Sequence, residues 1–259
     1  MSTRTMLAVL ALLPAIPLAG AELQPRTVAE YNEYIANVEK DWKSRTKAGD
    51  FLWVDDSAER LALVRGGDVV AQNWKGDEPI SIHEGDVNDF IGAVFIKGKD
   101  LDDVLELMRD YGNYSAIYSP EVAESRILSE NGGEYRVFLK YIKKFVLTIG
   151  YNTEHAIRYS KVDDNRWQSQ ARSTKVAELE GVGTPSEKEL PAGKDNGFFW
   201  GMYSYYNFEQ MDDGVIVECR AITLSAPLPA SMRWMASTIQ EIPRQSLANI
   251  LESTRKALE

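Results

Sequence analysis

His155 is the residue of this chain best suited to proton chemistry or to holding a polar ligand group. It lies in the run 145–160, where the odd positions are Phe145, Leu147, Ile149, Tyr151, Thr153, His155, Ile157 and Tyr159 and the even ones include Asn152, Glu154 and Arg158. Such alternation marks a strand with one buried face, so the imidazole points inward. There it can orient a ligand oxygen or transfer a proton. It can also be a core side chain bonded to a nearby hydroxyl, such as Ser173 or Thr153, which is what buried polar groups usually do. Glu218 and Arg220, two residues apart, share one face of another strand. Closed in a cavity they form an acid–base candidate. On an outward face they form a solvated charge ladder with Arg158 and Arg172, and the ladder is the expectation, because charged side chains are rarely buried.

Other chemistry finds little support. The chain has two histidines, His83 and His155, and one cysteine, Cys219, with no metal-ligand spacing among them. Its Asp-Asp pairs fall where turns and helix starts favour aspartate. No Gly-rich phosphate loop or G-x-S-x-G elbow occurs, and Cys219, within a β-rich run, reads as a small buried apolar side chain. Tyr141, Tyr151, Tyr203, Tyr205 and Tyr206 pair an apolar ring with a hydroxyl, which suits either a pocket for an apolar ligand with one polar end or an aromatic core. Met202, Met232, Met235 and Trp234 suit a pocket wall or, at helical spacing, plain core.

The elements that must position these residues can be read from periodicity. Thr27–Arg45 is an amphipathic helix, with Val28, Tyr31, Ile35, Val38 and Trp42 on one face and Thr27 and Glu30 spaced as a capping box. Its apolar stripe either packs on the main domain, the expected outcome, or meets a partner or membrane. A shorter helix follows Asp55-Asp56 and ends at Gly66-Gly67, and residues 68–74 read as a strand. Residues 87–96 are β-rich, and Asp100 caps a helix carrying Leu101, Val104, Leu105 and Met108. Six strands follow at 122–130, 134–143, 145–160, 166–180, 197–210 and 214–226, joined in part by Asn131-Gly132-Gly133, Asp163-Asp164-Asn165 and Asp212-Asp213-Gly214, which suit tight turns. A two-residue turn at Asp212-Asp213 puts Trp200, Met202, Ser204, Tyr206 and Phe208 on the face of Val217, Cys219, Ala221 and Thr223; a three-residue turn breaks that pairing. Residues 181–196 form a polar loop, and residues 230–258 a long helix kinked at Pro243. Strand runs bounded by helices define an α+β fold with an antiparallel sheet.

The first residues resemble a secretory leader. Arg4 precedes the apolar run Met6–Ala19, and Ala19-Gly20-Ala21 makes a small-residue cleavage site. Residues 1–21 are therefore expected to be a removed signal peptide, leaving a protein for the periplasm or beyond. The chain carries 39 Asp and Glu against 29 Lys and Arg, a net charge of −10, which argues against nucleic acid and anionic membrane surfaces as partners. No second long apolar run predicts a transmembrane segment in the mature chain.

The order strand, helix, strand series, long C-terminal helix resembles the START-like superfamily, also called helix-grip, SRPBCC or polyketide-cyclase-like. The resemblance runs over residues 84–259 and is carried by Gly92-Ala93-Val94-Phe95-Ile96 before Asp100, Tyr118-Ser119-Pro120, Ser173-Thr174 before Glu178, Gly214–Cys219, and Ile242-Pro243-Arg244-Gln245-Ser246-Leu247. Residues 22–80 lie outside it as an N-terminal helical extension. The resemblance implies a curved antiparallel sheet around the C-terminal helix, with a hydrophobic cavity between them for lipids or other apolar molecules. Strand parity then names the expected ligand-binding residues: Tyr141, Ile149, Tyr151 and His155; Trp167 and Ala171; Trp200, Met202, Tyr206 and Cys219; and Met235 and Ile239 on the helix. An exported carrier of an apolar small molecule is the leading function. The alternatives are a cyclase or dehydratase using His155, cavity tyrosines and Glu218, and a ligand-free interaction module. No cofactor is expected.

Overall fold

The computed structural model describes residues 22–76, 78–144 and 148–259; the leader 1–21 and the strand positions Phe145 and Leu147 lie outside the described residues. The chain opens with α1 (Pro25–Ala48), closed by Gly49 in the left-handed conformation, which a Cβ would disfavour. A 3-10 turn (Trp53–Asp56) leads to α2 (Ala58–Arg65), capped by the Ser57 side chain. Two short strands, β1 (Val70–Asn73) and β2 (Ile80–Ile82), precede the long β3 (Gly85–Lys97). Next come α3 (Leu101–Arg109) and the single turn α4 (Tyr114–Ile117). The strand series is β4 (Val122–Asn131), β5 (Glu134–Lys144), β6 (Thr148–Lys161), β7 (Arg166–Glu180), β8 (Lys188–Glu189), β9 (Gly201–Met211) and β10 (Gly214–Ser225). A 3-10 segment (Ala230–Met235) runs into α5 (Ala236–Leu258), with Pro243 inside it.

All strand pairings are antiparallel, in the order β1-β3-β10-β9-β7-β6-β5-β4, with β2 on β3 and β8 on β7. The sheet is curved and unclosed. Its inner face packs on α3, α4 and α5 through Val94, Val137, Phe208, Val217, Leu247 and Leu251. Gly92 permits the helix to come this close: a Cβ there would stand 2.9 Å from Leu251 Cδ1 and 2.9 Å from the Val70 carbonyl.

The outer face is covered as well. Tyr31, Ile35 and Val38 of α1 pack on Val87, Tyr205, Ile222 and Leu224. Phe51, Leu52, Trp53, Val54 and Val64 pack on Ile91, Ala93, Phe95 and Ile216. The molecule therefore has three layers, with the sheet buried on both sides over β3, β10 and β9. The segment before residue 83 supplies the outer layer and two strands of the sheet itself, β1 and β2.

The Thr27–Glu30 capping box does not form. The helix begins at Pro25, and Thr27 and Glu30 instead grip the turn before β3: Thr27 Oγ1 donates to the His83 carbonyl at 2.7 Å, and the His83 N–H donates to Glu30 at 2.8 Å. By contrast, Asp100 and Asp103 make a full capping box at α3. The turn after β9 has two residues, since Met211 pairs with Gly214.

Candidate ligand site on the inner face and a buried polar seam on the outer face

Parity places the inner-face candidates as the alternation requires. On β6, Tyr151, Thr153, His155, Ile157 and Tyr159 are all buried. The ladder partners of the first four on β5 are Tyr141, Leu139, Val137 and Tyr135, and Ala171 on β7 pairs with Ile157. On β9 and β10, Tyr206 pairs with Cys219, and Met202 with Thr223. Tyr141, Trp167, Ala171 and Tyr206 pack against the inner core, and Ile149 and Ile239 are half-buried. The side chain of Met235 lies outside the described residues.

Trp200 departs from the expected set. It precedes the first residue of β9 and packs on the outer cluster with Tyr31 and Tyr203, its indole N–H donating to Asp195 at 2.9 Å. The strand begins at Gly201, so parity no longer constrains residue 200. Tyr203 and Tyr205 also lie on the outer face, under α1.

His155 sits in a hydroxyl relay. Thr153 Oγ1 donates to the Leu139 carbonyl at 2.9 Å and lies 2.8 Å from His155 Nε2. A hydroxyl has one proton, so Nε2 carries the hydrogen toward Thr153 and Nδ1 keeps its lone pair. Burial pushes the imidazole down to about 4, so the ring is neutral at physiological pH. Tyr141 meets it edge-on, with ring centroids 6.3 Å apart.

A bulge shapes one end of this face. Glu154 pairs with Lys175 but His155 pairs with Ser173, so Thr174 is an extra residue in β7. The inserted residue reverses parity beyond it. It brings Glu178 onto the inner face opposite Tyr151, where plain alternation from Ala171 would have turned it outward. The Glu178 carboxyl is buried and accepts from the Asn196 backbone N–H at 2.9 Å and from the Asn196 amide. Alternation alone carries no signal for the bulge. At the other end the face is filled: Tyr111 and Tyr159 share a hydrogen bond of 2.9 Å, Tyr114 donates to the Met108 carbonyl, and Tyr118 bonds Thr254 of α5. Arg109 lies over the rings of Tyr159 and Trp167.

Glu218 and Arg220 face outward, with Asn207, as a two-residue turn requires. They are not the expected solvated ladder. Glu218 is 4 % exposed and Arg220 9 %. The Glu218 carboxyl accepts from the Trp53 N–H at 2.7 Å, the Val54 N–H at 3.3 Å and the Asn207 amide at 3.3 Å. Burial pushes it up to about 8, against the opposing pull of those N–H donors and Arg45. Arg220 binds Asp89 through two nitrogens, at 2.9 and 2.6 Å, lies over Trp74, and shares Asp89 with the Tyr34 hydroxyl at 2.6 Å. Asn207 accepts from Trp42 and Gln168 and donates to the Phe51 carbonyl. A hollow of about 20 Å³ beside Glu218, Arg220 and Arg45 has room for a single water. The reason for the difference lies in α1 and the 51–65 segment: they exclude water, and backbone groups replace it.

A groove of about 260 Å³ opens where the chain between β1 and β2 leaves β3, lined by polar side chains such as Lys75, Asp89 and Glu241 and by apolar ones such as Ile80, Val87 and Phe90. None of the inner-face candidates lines it. Among the described residues no helix is long and apolar enough to cross a membrane.

A curved, open antiparallel sheet wrapped on a long C-terminal helix is the START-like helix-grip fold, and this chain has it. No protein-family model and no curated protein matches the sequence. Solved structures are similar in fold. A STAR-related lipid transfer protein from Xanthomonas axonopodis is 18% identical, with 69% of this chain and 96% of that one covered at a TM-score of 0.49. The Zhui aromatase/cyclase from a Streptomyces species is 13% identical, covering 66% and 93% at 0.46. Human STARD10 is 8% identical, covering 78% and 79% at 0.44.

Proposed function

We propose that this protein binds and carries an apolar small molecule, lipid-like in character, against the inner face of its sheet, and that it does so after export from the cytoplasm. The observation that supports carriage over catalysis is the separation of the polar groups. His155 is neutral and engaged with Thr153, while Glu218, its proposed acid–base partner, faces the opposite layer. A cyclase or dehydratase needs acid and base groups within reach of one substrate atom, and this pair cannot meet. The apolar stripe of α1 is spent on the sheet, which removes the surface on which a ligand-free interaction module rested. Export rests on Arg4, the run Met6–Ala19 and the Ala19-Gly20-Ala21 site.

The test is native mass spectrometry of the protein purified gently from its own host, followed by solvent extraction and N-terminal sequencing. The expected result is one apolar adduct per chain and a mature terminus at Glu22. Recovery of the apo mass, together with failure of apolar probes to bind the purified chain, overturns carriage. An intact Met1 terminus overturns export.

A further inference from the structure

The buried hydroxyls of this molecule have almost all found partners. Tyr31 donates to the Ile222 carbonyl, Tyr114 to the Met108 carbonyl, Tyr111 bonds Tyr159, and Tyr118 bonds Thr254. On the stretch of inner face around His155, the Thr153 hydroxyl is spent on Leu139, and Ser173 accepts from the Met202 N–H. Among the described residues Tyr151 is the exception. It is 7 % exposed, its ring rests against Phe199 with centroids 5.4 Å apart, and its hydroxyl is buried with no hydrogen-bond partner in the protein. A buried donor without an acceptor is costly, and an oxygen supplied from outside the chain, from a ligand or an ordered water, completes it.

The surroundings of Tyr151 limit what that can be. Its ladder partner is Glu178, and both Glu178 oxygens accept N–H groups of Asn196. Asp195 adds a second acid, held by the Gly197 N–H and the Trp200 indole. No cation is paired with either carboxylate among the described residues. A second anion placed here meets like charge in a water-poor site. A neutral oxygen does not. Four residues along the same strand face, about 13 Å at the usual strand rise, the neutral His155 offers a lone pair at Nδ1 and no positive charge.

We propose that Tyr151 is the polar anchor of the inner-face site, its hydroxyl donating to a neutral oxygen (ester, ketone or alcohol) at one end of an elongated apolar ligand, with Glu178 rejecting ligands that end in an anion. This rests on the carrier reading above and narrows it: fatty acids and anionic lipid headgroups are disfavoured at this end of the site, and neutral lipids or lipid-like alcohols and ketones are favoured. Tyr151 acts here as a specificity residue.

The probes are methyl laurate and laurate, which share a chain and two oxygens and differ in charge. Each is titrated calorimetrically at neutral pH into the full mature chain and into its Tyr151→Phe and Glu178→Gln variants. The wild type should bind methyl laurate about tenfold or more tightly than laurate, and Tyr151→Phe should lose about tenfold for the ester, the worth of one buried hydrogen bond. Phenylalanine keeps the ring contact with Phe199 and removes an unpaired hydroxyl, so a thermal midpoint no lower than that of wild type separates lost anchoring from lost folding. Glu178→Gln should strengthen laurate relative to the ester. If Tyr151→Phe binds the ester as tightly as wild type, or wild type prefers laurate, the anchor is refuted while carriage stands. If neither probe binds the wild type, the anchor falls too, and the host-purified adduct decides separately whether carriage falls with it.

Discussion

Glu218 on β10 and the backbone N–H of Trp53, 165 positions apart in sequence, meet at 2.7 Å in the interior of the outer layer. This contact joins the central strands to the chain segment that precedes them. The Val54 N–H and the Asn207 amide converge on the same carboxyl, so the side chain serves as an acceptor for backbone groups that α1 and α2 hide from water.

Removing that acceptor should be expensive. Glu218→Ala strands the buried N–H of Trp53 and is expected to cost about 3 kcal/mol, read as a lower urea midpoint at constant slope. Glu218→Gln keeps an oxygen for Trp53 and should cost less. The pH dependence has a defined sign. Burial raises the folded-state value from 4.5 to about 8, so the folded state holds a proton that the unfolded chain releases. The stabilising contribution is full below about 4.5 and is lost as pH rises through about 8. Glu218→Gln should remove that decline relative to wild type; parallel stability curves for the two proteins from pH 4.5 to 8 would contradict it.

His155 should behave in the opposite sense. Its folded-state value is depressed from 6.5 to about 4, so the unfolded chain holds the extra proton. Its contribution is present above about 6.5 and is lost as pH falls toward 4. His155→Phe keeps a ring in the core and leaves Thr153 bonded to Leu139. The variant should therefore lose less stability than wild type on acidification across this window. Denaturant midpoints measured at several pH values check the difference.

Asp89 and Arg220 form a bidentate pair buried between α1 and the sheet. Arg220→Met leaves Asp89 with only the Tyr34 hydroxyl and should destabilise by about 3–5 kcal/mol. The double variant Asp89→Asn/Arg220→Met should recover much of that loss, because no unpaired charge stays buried. A double-mutant cycle reports the coupling, and additive single effects would show that the two side chains act independently.

At Gly92 the α5 side chain Leu251 packs directly on the sheet backbone. Gly92→Ala sets a methyl 2.9 Å from Leu251 Cδ1 and 2.9 Å from the Val70 carbonyl, an overpacking expected to cost about 1–3 kcal/mol. Leu251→Ala in the same chain should relieve only the side-chain half of the clash, since the carbonyl cannot retreat without moving β1. Thermal melts of the two single variants and the double separate these contributions.

Much of the architecture was legible before any coordinates. The alternation in 145–160 marked the face on which Tyr151, Thr153 and His155 are buried, the Asp212-Asp213 turn set the pairing of Tyr206 with Cys219, and Asp100 announced α3. These features are local: a period of two, a turn of two residues and a capping side chain act within a few positions of themselves. Where a feature depended on one residue more or less, it was lost to view. The extra Thr174 in β7 turns Glu178 inward, and the start of β9 at Gly201 releases Trp200 to the outer layer.

The sequence alone determined the order of the long strands and helices, the two faces of those strands and the fold they build, because each follows from short-range spacing and from which side chains avoid water; the short β2 and β8 lay in stretches that read as loops. Only the tertiary structure decided what covers the outer face. Glu218 and Arg220 read as surface charges in one dimension, since desolvating them is costly and nothing near them in sequence compensates. Their compensation comes from Trp53, Val54, Tyr34 and Trp74, far away along the chain and brought into contact only when α1 and the 51–65 segment fold onto the sheet.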